Sequence, residues 1–586
     1  MNKSLKFLAL PLAVWACQSI VMRSPIHAQS GMEALEDFAY WQRLCSLQTQ
    51  AGSPEEALAA CEQAIALEPE DETIWAEYSY ALLTLEQYPE TLAAAERVLT
   101  FNDENSLAMT YQCIAYQGLD FTEAALDACD RALQVNRYWG NRPPTLAWRT
   151  RGQILNQMGQ TDQALIAYDR ALHFEPDDSL TLAYRCQTLV ESTNYQQGIN
   201  ACEAALNSNG DWLTESPALA WAYKGQARAH LGEHTAAIAA YDQAVAIQPE
   251  EPEHWLQQGW LLEQTGNFAA ASLSYGRAVE LVPNSSRGLV GQCHTLNQQA
   301  QYEQALAACE QAIAGDGDWW PLGAAQAWHG RAHAMAGLGE YESALGAIDR
   351  ALGIRPAYWE ARSDQAVILW YLGEYDRARR TALQVIHGKE IVEVDPETAT
   401  DAAIAAVEIA AVEAEAVEAE VETEVGPNDA IIANTWATLG RIYRSQGRND
   451  KAIEAYDQAI ALGHQSSDTW SNLSAALWKE GRYTEALTAS RRAILLDNQS
   501  VQAWQNQGAA LARLGDYEAA QFSYEQALEL DDQKAEIWAS LGAVQLQSED
   551  EDTVVAAVES LKRAIQLDPQ QPLARSILEM IEKSEQ

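Results

Sequence analysis

Basic residues are scarce in this chain. Only 38 lysines and arginines stand against 83 aspartates and glutamates, a formal charge of −45. Such a surface repels phosphate backbones and anionic lipid, which sets aside nucleic acid and the membrane surface as main partners. Long apolar runs are lacking as well. Phe7 to Cys17 follows Lys3 and Lys6 but is too short to span a bilayer, and no later segment comes closer. With Ile26 and Ala28 ahead of Gln29 it reads as an export leader over residues 1–28, followed by a short lead-in over 29–37. The rival reading is lipid attachment at Cys17, for which Trp15 is an awkward neighbour. The expected location is therefore the periplasm or the exterior, an oxidising compartment. Phosphate-cradling glycine loops, a nucleophile elbow and a paired-carboxylate cleft are also missing.

A period fills the chain instead. Trp41 and Trp75 lie 34 apart, as do Trp221 and Trp255, and Trp436, Trp470, Trp504 and Trp538 keep the same step. Four residues past the Trp stands a small residue (Gly152, Gly225, Gly259, Gly440, Gly508, Gly542), and sixteen past it an alanine. An aromatic follows at twenty (Tyr168, Tyr241, Tyr275, Tyr456, Tyr524), and often a proline at twenty-eight (Pro69, Pro176, Pro249, Pro283, Pro356). Apolar and small residues at helical spacing, split by a glycine turn and closed by a proline, give two short helices per period. Close approach at Gly and Ala lets the helices cross, while Trp and Tyr fill the space beside them.

This spacing resembles the tetratricopeptide repeat. The resemblance implies an all-α, right-handed superhelical α-solenoid of about fourteen helix-turn-helix units. Ten repeats are expected over 38–387 and four over 433–571, with a capping helix over 572–586 on which Leu573, Ile577 and Ile581 share one face. The third, fifth and eighth copies carry Met109, Leu182 and Leu289 where the Trp belongs. Between the ten-repeat and four-repeat arrays, residues 388–432 are rich in Ala, Val and Glu with no basic residue from Glu390 on, which reads as a solvated acidic linker or a docking arm.

Apart from Cys17, the cysteines form four pairs of one spacing: Cys45 and Cys61, Cys113 and Cys129, Cys186 and Cys202, Cys293 and Cys309. Each pair occupies the small column of a first helix and the aromatic column of its second. Chance would align four such choices among fourteen repeats roughly once in a thousand. Adjacent helices bring alpha carbons within disulfide reach only where they cross closely, and small residues mark that crossing. Intra-repeat disulfides are expected, with buried free thiols as the alternative.

Repeats three, five and eight are each followed by a five-residue insertion bearing a further indole: Trp139, Trp212 and Trp319, the last followed by Trp320. These either plug the gap between units or offer aromatic contacts to a partner. By the family resemblance, first helices line a concave groove and the position five past the Trp faces it. That column reads Gln153, Gln187, Gln226, Trp260, His294 and His333, with Trp370 off the ladder at a helix end. Side-chain amides at repeat spacing suit the backbone of an extended peptide. His329 and His333 lie four apart with His294 one repeat away, a spacing that can hold a transition metal, although the pattern supplies no carboxylate. The basic clamp by which some family members seize terminal carboxylates has no counterpart here. No segment is left over for a catalytic domain. The expectation is an exported, non-enzymatic scaffold without cofactor that binds a protein or extended peptide; a glycan binder using the tryptophans is the alternative.

Overall fold

The computed structural model describes residues 37–584 apart from 141, 209, 211, 213–214, 320–322, 389–426 and 548–550. The expected leader, Cys17, Trp320 and nearly all of the acidic linker lie outside the described residues. Among those described there are 29 helices and no strand. They form fourteen hairpins and one terminal helix, each first helix packed on its own second helix and most second helices on the next first helix. Two compact units divide the chain, Met1–Pro249 with six hairpins and Glu250–Gln586 with the rest.

Local chemistry starts and stops these helices. Most first helices open on side-chain caps: Asp71 accepts from the N–H groups of Thr73 and Ile74, Asn105 from Ala108, Ser500 from Ala503. The hairpin turn needs a left-handed residue, supplied by glycine at Gly232, Gly266 and Gly339 but by Glu86, Asp120, Thr193 and Ala300 in other copies. In several copies the column indole N–H reaches back six residues to a carbonyl, from Trp75 to Pro69 (3.0 Å), from Trp504 to Asn498 (2.9 Å) and from Trp538 to Asp532 (2.8 Å).

The hairpin crossing has two recurrent fillings, found in nine of the fourteen repeats; other pairs, such as Ala332 with Ile348 and Ser474 with Ser490, are buried there in the rest. In five repeats a first-helix glycine lies flat against the tyrosine sixteen residues on; a methyl group built on Gly152 would stand 2.4 Å from Tyr168, and one on Gly508 2.8 Å from Tyr524. Those tyrosines are almost wholly buried. In four others cysteines occupy both places, with alpha carbons 5.0 to 5.2 Å apart and sulfur facing sulfur at bonding distance. One crossing therefore accommodates a large group against none or two medium groups joined to each other.

Three local features depart from the sequence expectations. In repeat ten the Trp column holds Arg362, whose guanidinium donates to Pro356 O at 2.8 Å, the same six-residue reach that indoles make elsewhere. In the terminal helix Pro572–Ser584, Ala574, Ile577, Leu578 and Ile581 pack on the last hairpin, while Leu573 is 42% exposed. The third concerns the expected linker. The eleventh repeat begins at Asp429, inside its expected span, and packs directly on Tyr375–His387 of the tenth. One hydrophobic cluster runs from Ala366 and Leu383 through Leu439 and Ile442 to Val544. The ends of the insertion meet, a methyl group on Gly388 falling 3.5 Å from Pro427 Cδ. Repeats ten and eleven are thus neighbours in one stack.

Oxidation of the four cysteine pairs is open to direct measurement. Each would close a loop spanning a separation of 16 residues, stabilising by about 3 kcal/mol in the chain-entropy model. Denatured without reductant, the chain purified under oxidising conditions should show none of these eight cysteines as free thiol, and reductant should lower the thermal midpoint. Eight freely reacting thiols would contradict the pairing.

Candidate functional site

In the second unit, a cavity of about 560 Å³ is lined by the first helices of repeats eight to twelve and the turns leading into them. It gathers three of the histidines singled out in the sequence, His294, His329 and His333, and adds Asn434, Arg441, His464 and Asn472 from beyond the insertion. Position along the repeat explains the gathering. Arg441 lies five past Trp436, the same column as His294 and His333. The ladder simply continues across residues 389–426.

The cavity floor is anchored by a cysteine pair. Cys293 lines it, and Gly330 of the next repeat rests on the bridge, since a methyl group there would lie 2.5 Å from Cys293 Sγ. Asn297 donates from Nδ2 to Gly330 O at 2.9 Å, fixing the two first helices together. Two imidazoles are held by carboxylates: His294 Nδ1 lies 2.7 Å from Glu263 Oε1, and His329 Nε2 lies 2.7 Å from Asp364 Oδ2. The other ring nitrogen of His329 is 3.0 Å from the Tyr358 hydroxyl.

The remaining two imidazoles stand differently. His333 is reached by solvent but sits inside the concavity, and loss of water contact pulls its pKa below the ordinary histidine value; Asp364 raises it, while His329 and His294 lower it further. His464 is also lowered, first by desolvation and then by the Arg441 charge. Both are therefore mainly neutral at pH 7. Among the described residues no three or more His, Cys, Asp or Glu side chains are grouped so as to hold a metal ion.

Trp370 is not part of the cavity lining. Its indole N–H donates to Ser445 Oγ at 2.9 Å and the Arg441 guanidinium lies 5.2 Å from its ring centre, so it joins repeats ten and eleven. Trp260 stands on its helix with 36% of its surface exposed.

The first unit has its own cavity, about 1110 Å³, lined in part by Gln153, Arg142, Arg149 and Tyr184. Its glutamine column is partly engaged internally. Gln187 donates to Glu191 at 2.8 Å, Gln153 lies within hydrogen-bond reach of Tyr184, and Gln226 is half-buried. Arg149 is held by Asp178 at 3.0 Å in a nearly buried pair. Inserted indoles meet their neighbours in the same way. Trp212 packs against Ala183, Ala205 and Ala220, and Trp319 against Leu289, Val290 and Ala327, while Trp139 donates to Asn136 Oδ1 at 3.0 Å.

A residue type that the sequence reading passed over pins these insertions. Ser106, Ser179 and Ser286 open the first helices of repeats three, five and eight. Ser106 and Ser286 donate to the carbonyls of Ala132 and Ala312 at 2.8 and 3.1 Å, and Ser179 to Gly210 O at 3.1 Å. Ser467 of repeat twelve makes the same bond, to Ala493 O at 3.1 Å, with no insertion following, so the serine alone did not mark the insertions in the sequence.

Family models described as tetratricopeptide repeat match residues 13–137, 187–252, 238–286, 467–500 and 501–534, and one described as TPR repeat matches 440–481. The chain belongs to the tetratricopeptide repeat family. This tetratricopeptide repeat protein is 28% identical over 106 residues to tetratricopeptide repeat protein 33 of Xenopus laevis, and 36% identical over 89 residues to a protein adenylyltransferase Fic of Nematostella vectensis. Those matches cover 18% and 15% of the chain, and the chain spans only 39% and 21% of the two curated relatives. Among solved structures, similarity extends to the Cut9–Hcn1 hetero-tetramer of the APC/C, with TM-score 0.40, 15% identity and coverage of 94% of this chain and 97% of that one. A tetratricopeptide repeat protein from Parabacteroides merdae gives 0.36 at 14% identity, covering 50% of this chain and 97% of its own. YrrB, described as having an unusual peptide-binding site, gives 0.29 at 18% identity, covering 40% and 97%.

The electrostatics of the repeat protein's second cavity can be read by NMR titration of its histidine rings. His333 and His464 should titrate below about 6.5. Asp364→Asn should lower the His333 midpoint by removing a charge that favours imidazolium, and Arg441→Gln should raise that of His464. Unchanged midpoints in both variants would contradict the described arrangement.

Proposed function

We propose that this tetratricopeptide repeat protein is an exported, non-enzymatic scaffold that holds a protein or extended peptide against its first helices and supports assembly of an envelope or secreted complex. The observation that carries this reading is the cavity of the second unit. Every residue lining it comes from a first helix or the turn before one, across five successive repeats. Its amide side chains, Gln298, Gln326, Asn434 and Asn472, offer donors and acceptors together, which is what a peptide backbone requires. Support for export comes from the leader-like N-terminus and from four facing cysteine pairs, which persist in an oxidising compartment. A sugar chain would need several exposed ring faces. With Trp212 and Trp319 packed and Trp370 tied to Ser445, Trp260 is the candidate indole, among those described, that keeps a broad exposed face.

Capture from the native compartment tests the proposal. The wild-type protein and an Asn434→Ala, Asn472→Ala variant, each shown by circular dichroism to be folded, are used as bait and the retained proteins identified by mass spectrometry. A partner should be retained by the wild type and depleted at least about tenfold with the variant, the cost of losing two buried amide contacts. Identical sets from both baits, or retention of soluble oligosaccharide in place of protein, would overturn it.

A further inference from the structure

Four of the chain's 10 histidines face the cavity of the second unit. Three carboxylates also line it, Glu360, Asp364 and Asp468, against the single guanidinium of Arg441. With the imidazoles neutral the lining therefore carries an excess of two negative charges. With all four protonated it carries an excess of two positive charges. Counting Glu263, which lies behind His294, shifts both figures by one negative charge without removing the reversal. Even with every histidine protonated the chain as a whole stays strongly negative. Acidification thus creates a cationic patch on an anionic protein.

We propose that this cavity is a proton-operated receptor for an acidic peptide segment, repelling it at neutral pH and taking it up in the mildly acid range. The inference rests on the peptide reading above and specifies the ligand and its control. Several observations point the same way. Arg441 forms no ion pair among the described residues; it donates to Thr438 Oγ1 at 3.1 Å and lies over Trp370, leaving its charge uncompensated by any carboxylate contact. No hydrogen bond among the described residues occupies the rings of His333 and His464, whereas His294 and His329 are already bonded to Glu263 and Asp364. Two imidazoles and one guanidinium are therefore free to meet carboxylates, with amides of Asn434 and Asn472 beside them for the backbone.

The charged groups around the two free rings set the pH window. His333 faces Asp364, His329 and His294; His464 faces Arg441, with Asp468 on the next helix and Glu360 across the cavity. Desolvation and like charge hold both rings neutral at pH 7 when the cavity is empty. A bound carboxylate favours the imidazolium form, so binding takes up protons. By linkage, affinity then rises as pH falls through the histidine range. Carboxylates remain ionised down to about pH 4.5, which leaves a window from there to about 6.5.

The test uses the mature full chain and two fluorescein-labelled synthetic peptides, one of alternating Glu and Gly and its Gln and Gly counterpart. Anisotropy is read at about pH 7.5 and about pH 5.5, values that bracket the histidine range. The acidic peptide should bind at least about tenfold more tightly at the lower pH, as linkage requires for an average net uptake of about half a proton or more over two pH units. The neutral peptide should bind alike at both. A His333→Gln, His464→Gln variant, conservative at two solvent-reached positions, should lose most of the gain while keeping its thermal midpoint. Calorimetry in two buffers of different ionisation enthalpy should show proton uptake by the wild type. Neutral-peptide binding without an acid-dependent gain for the acidic peptide would overturn this inference and leave the peptide reading standing. No binding of either peptide at either pH would overturn both, and a gain that persists in the double variant would overturn the assignment to these rings.

Discussion

Everything in this molecule rests on how closely two short helices cross within one hairpin. Helices of thirteen or fourteen residues bury too little alone to be stable, so each depends on its partner's approach and on the next repeat. The approach is set by one position on the first helix and one on the second. Glycine opposite tyrosine and cysteine opposite cysteine are two ways of filling a volume that the backbone fixes. Three of the four repeats without a column tryptophan use the second filling, Met109, Leu182 and Leu289 standing in bridged copies, while repeat ten, with Arg362 in the column, has Ala366 and Ala382 at the crossing. In the three bridged copies an inserted indole follows, and Trp212 and Trp319 restore apolar volume at the joint to the next repeat. The compensation is local, as expected where each unit contacts only its neighbours.

Most of this architecture could be read from the chain because the period is rigid. Thirteen of the fourteen first helices begin within one residue of where the tryptophan column puts them, the eleventh at Asp429 being the exception. Glycine turns and closing prolines mark the ends of many hairpins. The cysteine pairing was legible for the same reason, as two columns changing together. Arg362 was less visible because Trp359, three residues earlier, hides the substitution in the sequence. Its function in the fold depends on a hydrogen-bonding reach that an indole and a guanidinium share, and which no periodicity records.

The candidate site was half legible. His294, His329 and His333 could be grouped because they lie on adjacent repeats and one helical face. Arg441 and His464 could not, since the acidic insertion separates them in sequence from repeats that they touch in space. Trp370 illustrates the same difficulty from the other side: a tryptophan near the end of the tenth repeat reads as a groove residue until Ser445 is seen beside it. Nearest-neighbour packing decides these roles. It makes the insertion a departure from a continuous stack, and it places cationic and titratable groups from both sides around one concave space.

The equivalence of the two crossings is the claim on which the rest depends, and it can be tested by building one in place of the other. Gly508 and Tyr524 face each other in a repeat that has no cysteine. In a Gly508→Cys, Tyr524→Cys variant refolded under mild oxidation, mass spectrometry and thiol titration should find the new pair bridged, with helical content matching the wild type. Two free, reactive thiols at 508 and 524 in a folded protein would show that the crossings differ, and would contradict the account.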